Sequence, residues 1–304
     1  MSKRVLFVGS KKLGLEALKE SVSVSSESVC GVVALNDQDD PRSVLGEFKT
    51  YVESQRLQLH VAGGGKELAA IVRRLKPDLC LVVGWYTLIG NELLKAIPDG
   101  WLGIHASLLP RYRGGAPLVW AIIQGERKSG VSLFHFADEM DAGPVVGSAE
   151  FPISQTATIS DVLLLAGNAV RRVVKDNLPA VLDGSAIAVA QDHGSATYCS
   201  LRSPNDGHID WSKGAATIHN FVRAQSEPYP GAFGVSDSGE QVRIWESAPF
   251  ERPLLGPVGK VAFCINGDPI VACGQGTGLR ILRASHEGTR GSQDVRLRVG
   301  ERLL

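Results

Sequence analysis

The sequence lacks the features that mark several large classes of protein. Its five cysteines are scattered, odd in number and never spaced as C-x-x-C, so neither a zinc site nor a disulfide framework is indicated. No apolar run approaches the ~20 residues that a membrane-spanning helix needs. Basic and acidic residues balance at 32 each, so net charge does not point to a nucleic-acid partner. We therefore expect a reduced, cytoplasmic protein without a metal site, bound to neither membrane nor nucleic acid.

The first strand-to-helix turn also lacks a nucleotide-binding fingerprint. Val5–Gly9 is an apolar run typical of a buried parallel strand, and Gly14 and Leu15 indicate a helix after it. The glycines are not spaced as G-x-G-x-x-G, and no G-K-[ST] follows them. The turn therefore matches neither the dinucleotide fingerprint nor the P-loop.

Apolar runs alternate with helix-like segments through the first half of the chain. The runs Val29–Leu35, Leu59–Val61 and Leu79–Val83 predict strands, with amphipathic segments between them. Such alternation is typical of a Rossmann-like α/β fold, in which helices cover both faces of a parallel sheet. Ligands bind these sheets at the carboxyl ends of the strands. We therefore expect the loop Gly84-Trp85-Tyr86 and the side chain of His105 to lie on that edge.

The composition changes after residue 203. Short strand-like runs separated by Gly and Asp follow, and this pattern predicts a small OB-like β-barrel. From Pro204 to Leu304 there are 11 Lys or Arg and 11 Asp or Glu, so the barrel carries no net charge. We therefore predict two domains, an α/β domain over residues 1–203 and a β-barrel domain over residues 204–304.

Two side chains in the Gly- and Pro-rich stretch from Gly103 to Gly143 are suited to proton transfer. His105 carries an imidazole that gives or takes a proton near neutral pH, and Asp141 lies in a Gly-flanked loop. They form a base and its orienting carboxylate if the fold brings the two loops together. Each also has a structural interpretation, the imidazole as a core group and the carboxylate as a cap. Ser107 has no G-x-S-x-G elbow and is not predicted to be a nucleophile.

The segment from His105 to Gly114, which reads His-Ala-Ser-Leu-Leu-Pro-Arg-Tyr-Arg-Gly, resembles the signature of the folate-dependent formyltransferases. Asp141-Ala142-Gly143 continues the resemblance further along the chain. In the second half, Asn220–Ala224 and Pro228–Phe233 are similar to the C-terminal domain of that family. The resemblance extends over nearly the whole chain in the same order.

The resemblance implies transfer of a formyl group from N10-formyltetrahydrofolate to a primary amine. His105 would stabilise the intermediate and help to move protons, and Asp141 would set the state of that histidine and accept the amine proton. The residues that the resemblance implies for folate binding are Gly84, Trp85, Tyr86, Leu88, Asp138, Glu139 and Asp141. Those expected to contact the acceptor are Ser107, Arg113, Gly114, Gly115, Pro117 and Arg223.

Gly103 departs from the family pattern and is counted here with the catalytic positions. Two residues before the histidine the family has an asparagine, whose amide donates to the developing oxyanion. Losing one such donor costs roughly 10²–10³ in rate at other acyl-transfer sites. Three hypotheses follow: a weakened but working enzyme, a relative with altered one-carbon chemistry, and a folate-binding protein without turnover.

Charge favours a small acceptor over tRNA. Phosphate contacts dominate nucleic-acid affinity, yet the predicted barrel is neutral and the turn Asn36–Pro41 is acidic. We therefore expect a primary amine on a small metabolite, such as a nucleotide-linked amino sugar or an amino-acid-like compound, and a monomer or homodimer. In the sugar case Arg113 or Arg223 would meet phosphate, whereas the alternative for each is a structural ion pair.

Overall fold

The computed structural model describes residues 3–286 and 297–304. Contacts divide the chain into two compact units. The first unit contains the chain up to Pro117 together with Lys128–Pro152 and Leu163–Cys199. The second unit contains Leu118–Arg127, Ile153–Val162 and Ser200–Leu304. Two short stretches that precede residue 200 therefore group with the second unit, and the predicted domain boundary after residue 203 stays a prediction.

The first unit is built on a seven-stranded sheet, with a separate two-stranded ladder beside it in the chain. The strands of this unit are β1 (Val5–Gly9), β2 (Val29–Leu35), β3 (Leu59–Ala62), β4 (Leu79–Val83), β5 (Trp101–His105), β6 (Arg113–Gly114), β7 (Lys128–His135), β8 (Val145–Pro152) and β9 (Tyr198–Cys199). The order in the large sheet is β3-β2-β1-β4-β5-β7-β8, and β6 pairs with β9. The α-helices that begin before residue 200 are α1 (Lys11–Ser25), α2 (Leu45–Ser54), α3 (Gly65–Leu75), α4 (Asn91–Lys95), α5 (Pro117–Ile123) and α6 (Ile159–Asp183). The α/β class is confirmed.

The sheet is mixed and not parallel throughout. Strands β1 to β5 pair in parallel, whereas β7 runs antiparallel to β5 and β8 antiparallel to β7. The prediction of a parallel sheet is therefore wrong for these last two strands. For β8 the physical reason is the connection at residues 136–144, because a segment this short joins neighbouring strands only in antiparallel fashion.

The centre of the sheet is buried on both faces. Every residue of β1 and of β4 is buried, and Leu6 and Phe7 have no exposed surface. A strand covered by helices on both sides reads as a continuous apolar run and not as an alternating one. This explains why the sequence predicted both strands with their observed bounds.

The second unit contains a five-stranded antiparallel sheet and one helix, α7 (Ala215–Arg223). The strands are β10 (Ala232–Val235), β11 (Gln241–Phe250), β12 (Val261–Ile265), β13 (Asp268–Cys273) and β14 (Thr277–His286), in the order β10-β11-β14-β13-β12. The last residues of the chain cover both edges. Leu304 exchanges backbone hydrogen bonds with Val235 beside β10, and Val261 of β12 donates to the carbonyl of Glu301. Part of each edge strand is thereby paired.

No helix among residues 3–286 and 297–304 combines the length and the apolar character needed to cross a membrane. One smaller expectation from the sequence is wrong: Ile187–Val189 forms no strand, and only Val189 makes an isolated bridge, to Val145. The strand-like run is short and exposed, with Ile187 81% exposed and Val189 65% exposed, so no packing extends the bridge into a ladder.

Leu81, in the middle of β4, has 1% of its surface exposed. We predict that Leu81→Ala lowers the free energy of unfolding by about 2–5 kcal/mol, because it leaves a cavity between two covered faces of the sheet. Leu164→Ala is the matched control, since this leucine of α6 is 67% exposed and its loss should cost less than about 0.5 kcal/mol. Urea unfolding followed by circular dichroism measures both, and equal costs would contradict the described core.

Candidate active site

His105 is the last residue of β5, held between β4 and β7. Its Nε2 lies 2.7 Å from the carbonyl oxygen of Tyr112, and its Nδ1 lies 3.5 Å from Oδ2 of Asp141. Because a carbonyl only accepts, Nε2 carries a proton, and the imidazolium is the form that donates from both nitrogens. The structure therefore brings together the two groups that the sequence singled out, and both are mostly buried, with 11% and 20% of their side chains exposed.

Asp141 is fixed by the backbone of a second loop. Its Oδ2 accepts a hydrogen bond of 2.7 Å from the backbone N–H of Gly114, and its own φ is 54°. Asp tolerates this left-handed conformation better than most residues because its short side chain bonds locally. The same carboxylate oxygen thus faces a backbone donor and the imidazole of His105, which sets the direction of the carboxylate.

Two glycines allow the loops to approach this closely. Gly114 has φ of 98°, and a Cβ there would meet the carbonyl oxygen of Cys199. At Gly143 a Cβ would fall on the carbonyl oxygen of His135. Only a residue without a side chain fits at either position, so the glycines predicted near the site are required by the path of the chain.

Gln191 connects the loops and was not found from the sequence. Its Oε1 accepts from Nε and Nη2 of Arg113, and its Nε2 donates to the carbonyl oxygens of Asp141, at 2.8 Å, and Gly143, at 2.6 Å. Gln191 is 8% exposed. A lone glutamine in a segment without a motif carries no signal of this role, because the contacts join residues 48 to 78 positions apart.

Two of the residues predicted to contact the acceptor are buried in the loops. Arg113 has no exposed surface, and besides Gln191 its guanidinium donates to the hydroxyl of Tyr198 at 3.1 Å. Ser107 is 1% exposed and its hydroxyl donates to the carbonyl of Arg111. In this structure both side chains stabilise the loops from within. Gly115 and Pro117 are partly exposed, and the N–H of Gly115 donates to the carbonyl of Cys199.

Gly103 lies in β5 opposite Phe134 of β7, two residues before His105. A Cβ at this position would lie 2.8 Å from the ring of Phe134 and would also collide with the ring of Phe136. The two rings pack on each other with their centres 5.7 Å apart. The space where a side chain at Gly103 would begin is therefore filled with aromatic carbon.

The loop after β4 presents apolar surface and unsatisfied polar atoms. Tyr86 is 58% and Leu88 is 89% exposed, whereas Trp85 packs against the sheet core. Among the described residues, Nε1 of Trp85 and Oγ1 of Thr87 are buried without a hydrogen-bond partner. Apolar surface with a few polar atoms awaiting partners is typical of a small-molecule site.

Three further predicted positions lie on or beside these loops. Gly84 follows β4 directly and accepts from the hydroxyl of Ser10 through its carbonyl. Asp138 and Glu139 are exposed in the segment before Asp141. The structure shows each of them at the surface of the first unit, and their roles stay predictions.

The acidic turn at Asn36–Pro41 is not a fully solvated loop. Asp37 is 7% exposed and pairs with Lys11, whose Nζ lies 2.6 Å from Asp37 and 2.8 Å from Asp40. Burial alone would lower the pKa of Lys11, but hydrogen bonds to the two carboxylates outweigh it and raise that pKa. Lys11 therefore remains charged and also lies 5.3 Å from the ring centre of Tyr86.

Two other titratable groups of the first unit have pKa values that burial shifts. Burial, helped by the charge of Asp141, raises the pKa of the Cys199 thiol to about 11, which keeps it protonated near neutral pH. Burial also lowers the pKa of His135, with a smaller contribution from Lys3. No group of three His, Cys, Asp or Glu side chains suited to a metal occurs in the described ranges. His105 and Asp141 are the pair best placed for proton transfer.

Fold and site together define a group-transfer enzyme of the α/β class with a C-terminal β-sheet unit. The formyl transferase family matches residues 6–179, and the formyl transferase C-terminal domain matches residues 202–293. The chain belongs to this family, whose members transfer a formyl group from N10-formyltetrahydrofolate. It is 32% identical over 294 residues to the methionyl-tRNA formyltransferase of Sorangium cellulosum (strain So ce56), which covers 94% of this chain and 93% of the relative. The predicted family is confirmed.

Solved structures share the fold at low identity. WlaRD, a sugar 3N-formyl transferase crystallised with dTDP and 5-N-formyl-THF, matches with a TM-score of 0.67 and 18% identity over 94% of this chain and 98% of its own. An N-formyltransferase from Helicobacter canadensis, in complex with folinic acid and dTDP-3-aminofucose, matches with a TM-score of 0.65 and 17% identity, over 92% of this chain and 98% of its own. HypX from Aquifex aeolicus, in complex with tetrahydrofolic acid, matches with a TM-score of 0.64 and 20% identity, over 97% of this chain and 46% of its own. These likenesses confirm the fold.

We predict that Gln191→Ala loosens the loop of Asp141. The substitution removes two donors from that loop and leaves the buried Arg113 short of an acceptor, which costs about 1–3 kcal/mol or more for a charged group. Hydrogen exchange at the Gly114 amide, which bonds Asp141, should become faster than in the unaltered protein. Gln58→Ala, at an exposed glutamine, is the control. Unchanged exchange at Gly114 would show that Gln191 does not position Asp141.

Proposed function

We propose that this protein transfers a formyl group from N10-formyltetrahydrofolate to the primary amine of a small metabolite, such as a nucleotide-linked amino sugar or an amino-acid-like compound. The observation that carries the proposal is the contact of His105 with Asp141 at the carboxyl end of β5. Ligands of such sheets bind at this edge. The folate donor fits the loop after β4, where Tyr86 and Leu88 are exposed and Trp85 and Thr87 have unpartnered polar atoms.

The pair can supply the proton chemistry of the reaction. Bound N10-formyltetrahydrofolate offers an activated formyl carbon. The amine nitrogen bonds that carbon and loses a proton, which the Asp141 carboxylate is positioned to accept. The bond from the formyl carbon to N10 breaks, and N10 gains a proton, so one proton moves and none is lost. The His105 side chain stabilises the negative charge that develops on the formyl oxygen.

A second acceptor, methionyl-tRNA, is favoured by one observation. The relative from Sorangium cellulosum carries the name methionyl-tRNA formyltransferase and matches along almost the full length of this chain. Against it stand the balanced charges of the barrel region and the local pairing of Lys11 with Asp37 and Asp40, because nucleic-acid affinity depends on unpaired basic side chains that neutralise phosphate. A shared family does not decide between the two acceptors.

Release of tetrahydrofolate tests the proposal directly. We expect formyl-folate to be consumed with one or more members of a panel of amino sugars, nucleotide-linked amino sugars and amino acids, and not with charged initiator tRNA. Replacing His105 by Ala should lower the rate by about 10²–10⁴, the usual worth of a general acid or base. His286→Ala is the control, because this exposed histidine lies at the end of β14 in the second unit. If the protein binds folate but releases no tetrahydrofolate with any amine, the proposal is wrong and the protein binds folate without turnover.

Gly103 provides a separate prediction. Because aromatic rings fill the space beside it, Gly103→Asn should destabilise the protein by about 1–3 kcal/mol through overpacking, and it should not raise the rate by itself. Gly103→Ala controls for the added Cβ, which meets the same rings. Combining Gly103→Asn with Phe136→Ala removes one obstructing ring, and this double variant should transfer formyl faster than Phe136→Ala alone. A rate gain in the single Gly103→Asn variant would show that the rings yield.

A further inference from the structure

Arg223, in the last turn of α7, is a buried cation without a carboxylate partner. It is 4% exposed. Its Nε donates to the side-chain oxygen of Asn220 at 2.9 Å, and its Nη1 donates to the carbonyl oxygens of Ala157, at 2.6 Å, and Ser154, at 3.4 Å. Its Nη2 has no acceptor among the described residues. Arginine is almost never fully buried unless it is paired, so this environment needs an explanation.

The guanidinium forms part of the wall of a cavity of about 290 Å³ inside the second unit. This volume lies near the lower limit for small-molecule sites. Eight of its eleven lining residues carry polar or charged side chains, and the full lining consists of Gly125, Glu126, Arg127, Ser154, Gln155, Thr156, Ala216, His219, Asn220, Arg223 and Pro249. The cavity therefore offers hydrogen-bonding groups to a polar ligand.

The charges around the cavity favour an anion. Burial lowers the pKa of Arg223, and the neighbouring charge of Arg127 lowers it further. Burial likewise lowers the pKa of His219, with an added contribution from the charge of Arg223. Glu126 is the one carboxylate among the lining residues, and it is not among the hydrogen-bond acceptors of Arg223. Within the described residues the Arg223 guanidinium therefore has only neutral acceptors.

A purely structural role explains only part of this arrangement. The bonds to Ala157 and Ser154 fasten the segment after β8, and the end of α7 offers a favourable helix dipole for a cation. Neither accounts for the unused donor at Nη2 or for a cavity beside it. Arginine presents its donors as a rigid fork that matches phosphate and carboxylate oxygens, so the free side of this guanidinium is suited to such a group.

We propose that this cavity binds a small phosphate-bearing anion, with the Arg223 guanidinium and the Arg127 side chain meeting the phosphate oxygens and Asn220 and Thr156 as further hydrogen-bonding groups. Arg223 would then receive the counter-charge that the chain itself does not supply. The site belongs to the second unit and does not depend on the identity of the formyl acceptor. Pyrophosphate is the probe, because it presents the shared chemistry of free diphosphate and nucleoside diphosphates.

Ala216 and Thr217 offer a matched pair of variants on α7. Both are exposed, but only Ala216 lines the cavity. With the full chain, calorimetry should show one pyrophosphate bound per chain. Ala216→Glu, which brings a negative charge to the lining, should weaken binding about tenfold or more, whereas Thr217→Glu should change it less than about twofold. Equal effects of the two variants, or no binding of pyrophosphate to the unaltered protein, would overturn the proposal.

Further binding measurements identify the source of the phosphate, and a stability measurement controls for misfolding. Tighter binding of a nucleoside diphosphate than of pyrophosphate, still weakened by Ala216→Glu alone, would identify a nucleotide ligand. Binding of an RNA hairpin without pyrophosphate binding would overturn the proposal in favour of a nucleic-acid surface. Arg223→Lys keeps the positive charge but loses the forked donors of the guanidinium, so it should bind pyrophosphate more weakly. Ala216→Glu and Thr217→Glu should both retain the thermal unfolding midpoint of the unaltered protein.

Discussion

The buried contact between Arg113 and Gln191 is the interaction on which the candidate site depends. A cation without exposed surface must find acceptors inside the protein, and the amide oxygen of Gln191 accepts two of its donors. The same amide then donates to the backbone of Asp141 and Gly143. One buried polar group therefore fixes three chain segments, and its removal would leave several groups unsatisfied together. This arrangement holds the backbone of the Asp141 loop, and the N–H of Gly114 then sets the direction of the carboxylate.

Gly103 acquires a different meaning once its neighbours are known. In the sequence, Gly103 replaces the asparagine of the family pattern and so lacks its side-chain amide. In the structure the rings of Phe134 and Phe136 fill the space where a side chain would begin, so the loss of a polar group is matched by apolar packing in the same place. Under the proposed function, charge stabilisation would therefore depend on His105 and Asp141, beside apolar packing that replaces the amide. Low-polarity surroundings strengthen the electrostatic interactions that remain.

The sequence predicted those parts of the fold that local patterns determine. Val29–Leu35 and Leu79–Val83 were found with their observed bounds, because a strand buried on both faces is a continuous apolar run. The directions of β7 and β8 were not found, and that of β8 depends on the length of a connection and not on composition. His105 and Asp141 were found because their residue types carry chemistry. Gln191 was not, because its partners lie far along the chain and its residue type suggests no reaction.

Net charge is a weaker guide to ligands than the pairing of individual charges. Residues 204–304 contain equal numbers of basic and acidic residues, and on that count they have no affinity for phosphate. Yet its arginines differ. Arg280 forms an ion pair with Asp268, and Arg283 forms ion pairs with Glu227 and Glu246. Carboxylates of the same unit therefore neutralise these two arginines. Arg223 has only neutral acceptors. In the net charge, the positive charge of Arg223 is cancelled by carboxylates that lie elsewhere. A ligand in the cavity would nevertheless meet the charge of Arg223 directly.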